Sequence, residues 1–219
     1  MSRLLVIALA LLAAALVVND GALATGLGAL ALVVAGLAWF EGGTASTREL
    51  AVIATLAAAA AAGRVVFAAI PGVQPVTIIA IVAGATLGAR AGVAVGALAA
   101  FVSNLFLGQG IWTPQQMLGW GLCGLAGALL APVVRTRVGL AVVGAILGFA
   151  FSISMDVWLW WGFAPHTLPS LIAVVGRGLW FDVAHAAGNV ALAFAAGPEL
   201  RRLLQRYADR LTTEVVWAA

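Results

Sequence analysis

The chain alternates long apolar runs with short polar breaks, a pattern that predicts a bundle of membrane-spanning helices. The first two runs, Leu4 to Val18 and Ala22 to Phe40, are separated only by Asn19-Asp20-Gly21. We expect this pair to form an N-terminal helical hairpin. The basic residue before the first run is also typical of a secretory signal, so cleavage after Ala24 is the alternative interpretation.

Six further apolar runs follow the polar break at Glu41 to Thr47. They are Glu49–Gly63, Pro75–Gly88, Gly92–Leu107, Pro114–Ala131, Val138–Trp160 and Leu171–Ala196. The first two of these hold only about 15 residues each, or roughly 22 Å of helix, which is short for a full crossing. The segment between them, Arg64 to Gln74, contains Pro71-Gly72 and is expected to turn back towards the bundle, because irregular backbone at membrane depth must be buried in protein or line a cavity.

The composition is consistent with a membrane protein and excludes several classes of function. Of the 219 residues, 64% are hydrophobic and 9% are charged, whereas a soluble domain carries roughly a quarter charged residues. All 11 basic residues are arginine, and without a lysine there is no Walker-type phosphate loop. The single cysteine, Cys123, permits no internal disulfide and no thiol-rich metal site. We therefore expect neither catalytic residues nor a cofactor or metal, and no ATP hydrolysis by this chain alone.

The distribution of arginines predicts the orientation. If Arg3 lies in the cytoplasm and the chain crosses eight times, nine of the 11 arginines fall on the cytoplasmic side, and only Arg64 and Arg177 fall outside. That bias is the one the positive-inside rule describes. The sequence thus predicts an all-α integral membrane protein with about eight membrane segments and both termini cytoplasmic. The basic charge is explained by the lipid bilayer, without nucleic acid as a partner.

The C-terminal tail has a different character from the preceding runs. Between Gly197 and Val216, large side chains recur with helical spacing while arginines occupy the other face. These side chains are Leu200, Leu203, Leu204, Tyr207 and Leu211. We expect a basic amphipathic helix on the cytoplasmic leaflet, with contact to a cytoplasmic partner as the alternative. The predicted units are therefore a hairpin over 1–43, a membrane core over 44–197 and this tail over 198–219.

Small residues recur at four-residue intervals, which let helix backbones approach closely in lipid. The glycine pairs are Gly84/Gly88, Gly92/Gly96 and Gly144/Gly148, and an alanine row is formed by Ala54, Ala58 and Ala62. Packing within the bundle is one interpretation. The other is that the alanine row docks a second membrane subunit.

Polar residues cluster at the predicted outer ends of the later spans, where each needs a partner, water or a ligand. The candidate binding residues are Asn104, Gln109, Trp112, Gln116, Trp120, Asp156, Arg177, Asp182, His185, Asn189 and, on the loop above them, Arg64. Asp182, His185 and Asn189 form one stripe on a helix, and Thr113 is expected to cap the helix that starts at Pro114. The alternatives are an ion pair of Arg177 with Asp156 or Asp182, and a purely internal hydrogen bond for His185.

Several of these residues belong to short motifs that are spread along the chain. The motifs are Gly63-Arg64, Gln74-Pro75, Ser103-Asn104, Gly108 to Met117 with Trp120-Gly121, Met155-Asp156-x-Trp158 and Phe181-Asp182-x-x-His185-x-x-x-Asn189. Between Glu49 and Gly197 the chain resembles the substrate-binding S components of energy-coupling factor (ECF) vitamin transporters. The block from Ser103 to Gly121 is most similar to the cobalamin-type S components.

The resemblance implies a six-helix S-component-like core in a bacterial or archaeal cytoplasmic membrane. It implies binding of a corrinoid, cobalamin or cobinamide, from outside, and delivery through a membrane T component and two cytoplasmic ATPases. It also implies that the alanine row docks the T component. The hairpin before Thr44 is additional to the family's six helices, and the block reads Gly-Ile-Trp-Thr-Pro-Gln where the family has proline before the tryptophan and an aromatic residue after Thr-Pro. The alternatives are an S component for another small vitamin or precursor, and a stand-alone secondary permease.

Overall fold

The computed structural model describes residues 3–43 and 45–212, with side chains up to Asp209, and this part of the chain is helical without any strand. It contains nine α-helices and one 3₁₀ turn, Phe67–Ala69. The helices are α1 Arg3–Val17, α2 Gly21–Glu41, α3 Thr47–Val66, α4 Val76–Leu87, α5 Ala89–Leu107, α6 Thr113–Leu129, α7 Arg137–Phe163, α8 Leu168–Ala195 and α9 Gly197–Thr212.

Several of these helices are long and apolar enough to cross a membrane. Four qualify singly, namely α2, α3 with its 3₁₀ extension, α5 and α7, and a fifth qualifies if α8 and α9 count as one span bent by 61°. The protein is therefore a multi-pass helical membrane protein. The apolar helices α1 and α4 have only 15 and 12 residues, so the count of eight crossings stays a prediction.

Helix α3 corrects the expected length of the first core segment. Ser46 caps its start by accepting a hydrogen bond from the backbone N–H of Glu49, and the helix continues past Gly63 to Val66. Gly63 does not end the helix, because it lies against the ring of Pro75 and the chain meets no proline before Pro71. At 20 residues α3 is long enough to cross, and the prediction of a short segment was wrong here. Helix α4, at 12 residues, is short as expected.

The connection between α3 and α4 folds into the bundle. Gly72 is buried and has φ +76°, and its Cα faces the backbone of His185 and the side chain of Ala184 in α8. A residue with a Cβ would be strained in this conformation and would also overlap α8. The expectation that the segment up to Gln74 turns back towards the bundle is confirmed. Its irregular part, however, begins only after Val66.

Helices α4, α5 and α6 meet along glycines. Gly84, Gly92 and Gly124 lie so close together that a Cβ on any of them would overlap the backbone of a neighbouring helix. Internal packing is therefore the correct interpretation for Gly84 and Gly92. Gly88, by contrast, has open space around it and φ +96°, since it forms the turn between α4 and α5 rather than part of an interface.

The two terminal parts attach to this core differently. In the hairpin, α2 lies antiparallel to α7 and its first residues touch the backbone at Gly162, while most apolar side chains of α1 remain exposed. Helix α9 packs beneath the bundle, where Leu204 is buried and Leu200 is packed against the core. Two members of the predicted apolar stripe thus contact the protein itself, whereas Leu203 and Tyr207 are exposed. The side chain of Leu211 and the predicted tail from residue 213 onward lie outside the described residues.

Candidate binding site

Arg64 lies at the centre of a buried polar cluster. It occupies the last turn of α3 and is only 8% exposed. Its Nε donates to Oε1 of Gln74 (3.0 Å), and its Nη1 donates to Oγ of Ser103 (2.7 Å) and Oδ1 of Asn104 (2.6 Å). The guanidinium also stands 4.9 Å from the ring centroid of Trp120. The side chain is therefore part of the bundle interior and not of a loop above it, which corrects the expected position.

The cluster continues from Asn104 into the start of α6. The Asn104 amide donates to Oγ1 of Thr113 (3.0 Å) and Oε1 of Gln116 (2.8 Å). The Thr113 hydroxyl in turn donates to Oε1 of Gln109 (2.8 Å), whose amide donates to the carbonyl of Phe101 (2.9 Å). Thr113 is the first residue of α6 rather than its cap, because the cap position belongs to Trp112. Its hydroxyl is used inside the cluster instead.

A second branch reaches α8 through Thr77. The indole N–H of Trp120 donates to Oγ1 of Thr77 (3.0 Å), and the same oxygen lies 3.0 Å from Nε2 of His185. Phe151 of α7 stacks between the two rings, with centroid distances of 4.2 Å to Trp120 and 5.6 Å to His185. His185 is fully buried and makes the internal hydrogen bond that was proposed for it, through Nε2. Its Nδ1 has no partner among the described residues and could bind another group.

The buried polar atoms without a hydrogen-bond partner among the described residues all lie on α7 and α8. They are Ser152 Oγ, Asp156 Oδ2, Trp158 Nε1, Asp182 Oδ2, His185 Nδ1 and Asn189 Oδ1. Buried polar groups in native proteins are almost always paired, so such a concentration calls for an explanation. The set contains both acceptors and a donor, and water or the polar groups of a ligand would satisfy it.

The guanidinium and the carboxyl groups of the cluster lie on different sides of it. Within the described residues, Arg64 has no carboxylate within ion-pair distance, and the ion pair found is Arg202 with Glu199 at the other end of the molecule. The carboxylate of Asp156 lies against Gly178, one helical turn before Asp182, so two carboxylates share the seam between α7 and α8. The Arg64 guanidinium thus lies on the α5–α6 side, and the two carboxyl groups lie on the α7–α8 side. Among the described residues no three metal-ligating side chains are grouped closely enough to hold a metal ion.

Most predicted site residues are brought together, and some are not. Arg64, Asn104, Gln116, Trp120 and His185 belong to one connected network, which also includes Gln109. Asp182 and Asn189 are buried on the same face of α8, and the Asn189 amide donates to the carbonyl of Gly144 (3.2 Å). Trp112 is 40% exposed and lies over Gly110.

Arg177 is the clear exception. Its side chain is exposed and forms no ion pair with Asp156 or Asp182, so the alternative of a salt bridge there is wrong. The reason is geometric. Asp156 faces Gly178 on the packed side of α8, whereas the preceding residue is rotated by about 100° around the helix, away from that seam.

Three contributors were absent from the predicted site. Ser103 and Gln74 occur in the motifs and bind Arg64 directly. Thr77 was overlooked, although it joins Trp120 to His185. Its only sequence signal is a polar residue in the otherwise apolar start of α4, and single threonines are common in membrane helices because their hydroxyls can bond the helix backbone.

These features define a multi-pass α-helical membrane protein with a buried polar centre towards one end of its bundle. The chain belongs to the family described as "Family of unknown function (DUF6580)", whose model matches residues 44–201. The match starts after the hairpin and extends into the first turn of α9. Comparisons with curated proteins and with solved structures give no match.

Proposed function

We propose that this protein is the substrate-binding S component of an ECF-type vitamin importer, with a corrinoid as its substrate. The observation that carries the proposal is the convergence of the motif residues. Arg64 and Gln74, Ser103 and Asn104, and Thr113 and Gln116 are far apart in sequence, yet they form one hydrogen-bonded cluster. The ring of Trp120 joins this cluster through its contact with the Arg64 guanidinium. A binding site built from these motifs requires such convergence.

The polar centre has the chemistry that a corrinoid requires. A corrinoid presents a broad apolar face and a rim of amides, which both donate and accept hydrogen bonds. The unpartnered Trp158 N–H and the unpartnered oxygens of Asp156 and Asp182 would meet such a rim. Trp120 and Phe151 supply aromatic surface beside it.

The compactness of the centre favours the second candidate, an S component for a smaller vitamin or precursor. Arg64, Asp182 and His185 are each at most 8% exposed, so a ligand reaches them only if the Arg64 side chain or helices α7 and α8 move. A small molecule needs less displacement than a corrinoid. The Arg64 guanidinium has no carboxylate partner in the part of the chain that the structure describes, which favours a substrate bearing a carboxylate or phosphate.

The proposal includes the remaining parts of the transporter. The core would consist of the six segments after the hairpin, in a bacterial or archaeal cytoplasmic membrane with about eight membrane segments in all and both termini cytoplasmic. Ala54, Ala58 and Ala62 are exposed on α3, so a T component could approach this row closely. Two ATPases would supply the energy, and this chain would have no enzymatic activity.

The first experiment identifies the ligand. The full chain is purified in mild detergent, copurifying small molecules are identified by mass spectrometry, and cobinamide and cobalamin are titrated by calorimetry. Trp112→Ala and Gln116→Ala should each weaken corrinoid binding by about 1–3 kcal/mol. Arg48→Ala, at the exposed start of α3, is the control and should not change affinity.

Two results would count against the proposal. If neither Trp112 nor Gln116 affects binding of any copurified ligand, the site is misplaced. Uptake assays in vesicles test the class of transporter: net accumulation should require the T component and the ATPases. Concentrative uptake by this chain alone, driven by an ion gradient, would instead identify a secondary permease.

A further inference from the structure

A cavity lined by arginines lies at the end of the bundle opposite the polar centre. Its volume is about 260 Å³, and it is bounded by the connection from α6 to α7 and by the first two turns of α9. Arg135, Arg137, Arg201 and Arg202 contribute to its lining, together with Thr136 and Gln205, and none of the described acidic residues does.

The charge of this cavity is only partly neutralised by the protein. Glu199 pairs with Arg202 at 2.7 Å, and Asp209, further along α9, accepts a hydrogen bond from Gln205. Arg201 donates to the backbone carbonyl of Arg135 and is thereby held over the cavity. The side chains of Arg135 and Arg137 are exposed and pair with no acidic residue in the described part of the chain. An anion placed in the cavity would therefore meet several guanidinium groups at once.

The architecture adds to the attraction for an anion. Helix α7 begins at this cavity, with Thr136 capping it by accepting from the backbone N–H of Gly139 (2.9 Å). The first N–H groups of a long helix carry partial positive charge. The floor is formed by Val134 and Leu140, which are both 3% exposed, so the charged groups stand over a surface of low polarity.

The position of the cavity identifies the source of the anion. It lies where α8 bends by 61° into α9, a position that the predicted orientation places at the cytoplasmic surface of the membrane. Val138 and Leu203 directly follow Arg137 and Arg202 in the sequence, and their side chains are 62% and 50% exposed. An acyl chain would cover such side chains, whereas a free phosphate ion would leave them in water.

We propose that this cavity binds the phosphate headgroup of an anionic phospholipid in the cytoplasmic leaflet. Its volume lies just below the roughly 300–1,000 Å³ of pockets that enclose whole drug-sized molecules, which suits a headgroup whose chains remain outside. Guanidinium groups bind phosphate oxygens in pairs of parallel hydrogen bonds. Basic pockets between membrane helices on the cytoplasmic side are the kind of site that recognises anionic headgroups.

The test uses the full chain, delipidated in detergent, with lipid binding followed by native mass spectrometry. Phosphatidylglycerol should bind at least tenfold more tightly than zwitterionic phosphatidylcholine. Arg135→Gln/Arg137→Gln removes two side chains without breaking the bond from Arg201 to the Arg135 carbonyl, so folding should be preserved. Each arginine removed should weaken phosphatidylglycerol binding about fivefold, the factor that corresponds to about 1 kcal/mol. Arg48→Gln, the same charge change at the exposed start of α3 outside the cavity, should stay within twofold of wild type.

Four outcomes would overturn the proposal. Equal affinity for phosphatidylcholine would show that charge is not recognised. Effective competition by millimolar inorganic phosphate would identify a site for a free anion. An Arg48→Gln effect as large as that of the double variant would indicate only general surface potential. Unchanged lipid binding in the double variant, with loss of a copurifying protein, would assign the cavity to an acidic segment of that partner. Because no vitamin is involved, failure here would leave the proposed transport function untouched.

Discussion

Replacing Arg64 by alanine should destabilise the protein by about 2–4 kcal/mol. The change removes three hydrogen bonds from a charged donor, at 2.6–3.0 Å. Such bonds contribute about 1.5–3 kcal/mol each, and the stacking on Trp120 contributes roughly 0.5–2 kcal/mol. The sum is an upper bound, because alanine also avoids the several kcal/mol that burying a guanidinium costs, and because Ser103 keeps its bonds to the Ala99 and Ala100 carbonyls.

The assay is unfolding in mixed micelles of dodecyl maltoside and increasing sodium dodecyl sulfate, followed by circular dichroism. Arg64→Lys keeps the charge but not the planar fork, so it should retain part of the stability. A double-mutant cycle with Asn104→Ala should give a coupling energy of at least about 1 kcal/mol, since the two side chains bond directly. The reasoning is refuted if Arg64→Ala unfolds within about 0.5 kcal/mol of wild type, or if the cycle gives no coupling.

Three further changes test packing, docking and charge. Gly124→Val should cost about 3 kcal/mol, the upper end of the usual range for overpacking, because its side chain would overlap the backbone at Gly92. Gly176→Ala, in open space, should cost nothing, and equal stability of both variants in the micelle assay would contradict the described packing. Ala58→Trp should abolish copurification with a coexpressed T component, while calorimetry shows unchanged vitamin binding. Loss of vitamin binding with the complex intact would mean that this face of α3 packs within the bundle. Arg177→Ala should leave stability within about 0.5 kcal/mol in the same assay, as expected for an exposed side chain; a loss above 1 kcal/mol would point to an ion pair with a carboxylate.

The helices could be predicted from the apolar runs, because a membrane helix must satisfy its own backbone and therefore fills each run. Their ends were harder to predict. Gly63 resembled a stop signal, yet glycine continues a helix when its missing side chain permits a tertiary contact, here with Pro75. That one error moved Arg64 from a helix to a loop, and with it from the interior to the surface in the predicted site.

The candidate site was predictable where residues share one helix. The stripe of Asp182, His185 and Asn189 follows from spacing alone, and all three are buried. Contacts between helices do not follow from spacing. The link from Trp120 through Thr77 to His185 depends on how α4, α6 and α8 pack, and the separation of Arg177 from the carboxylates depends on the rotation of α8.

The glycine contacts among α4, α5 and α6 should make these helices more rigid than the rest of the bundle. Backbones that touch without intervening side chains cannot slide or separate by rotamer changes, so these three helices should move as one block. The hydrogen bonds from Arg64 to Ser103 and Asn104 tie α3 to that block. The buried polar atoms without a partner among the described residues, in contrast, all lie on α7 and α8. Helices α7 and α8 should therefore be the more mobile part of the bundle. Amide hydrogen exchange should be faster in these two helices than in α4, α5 and α6.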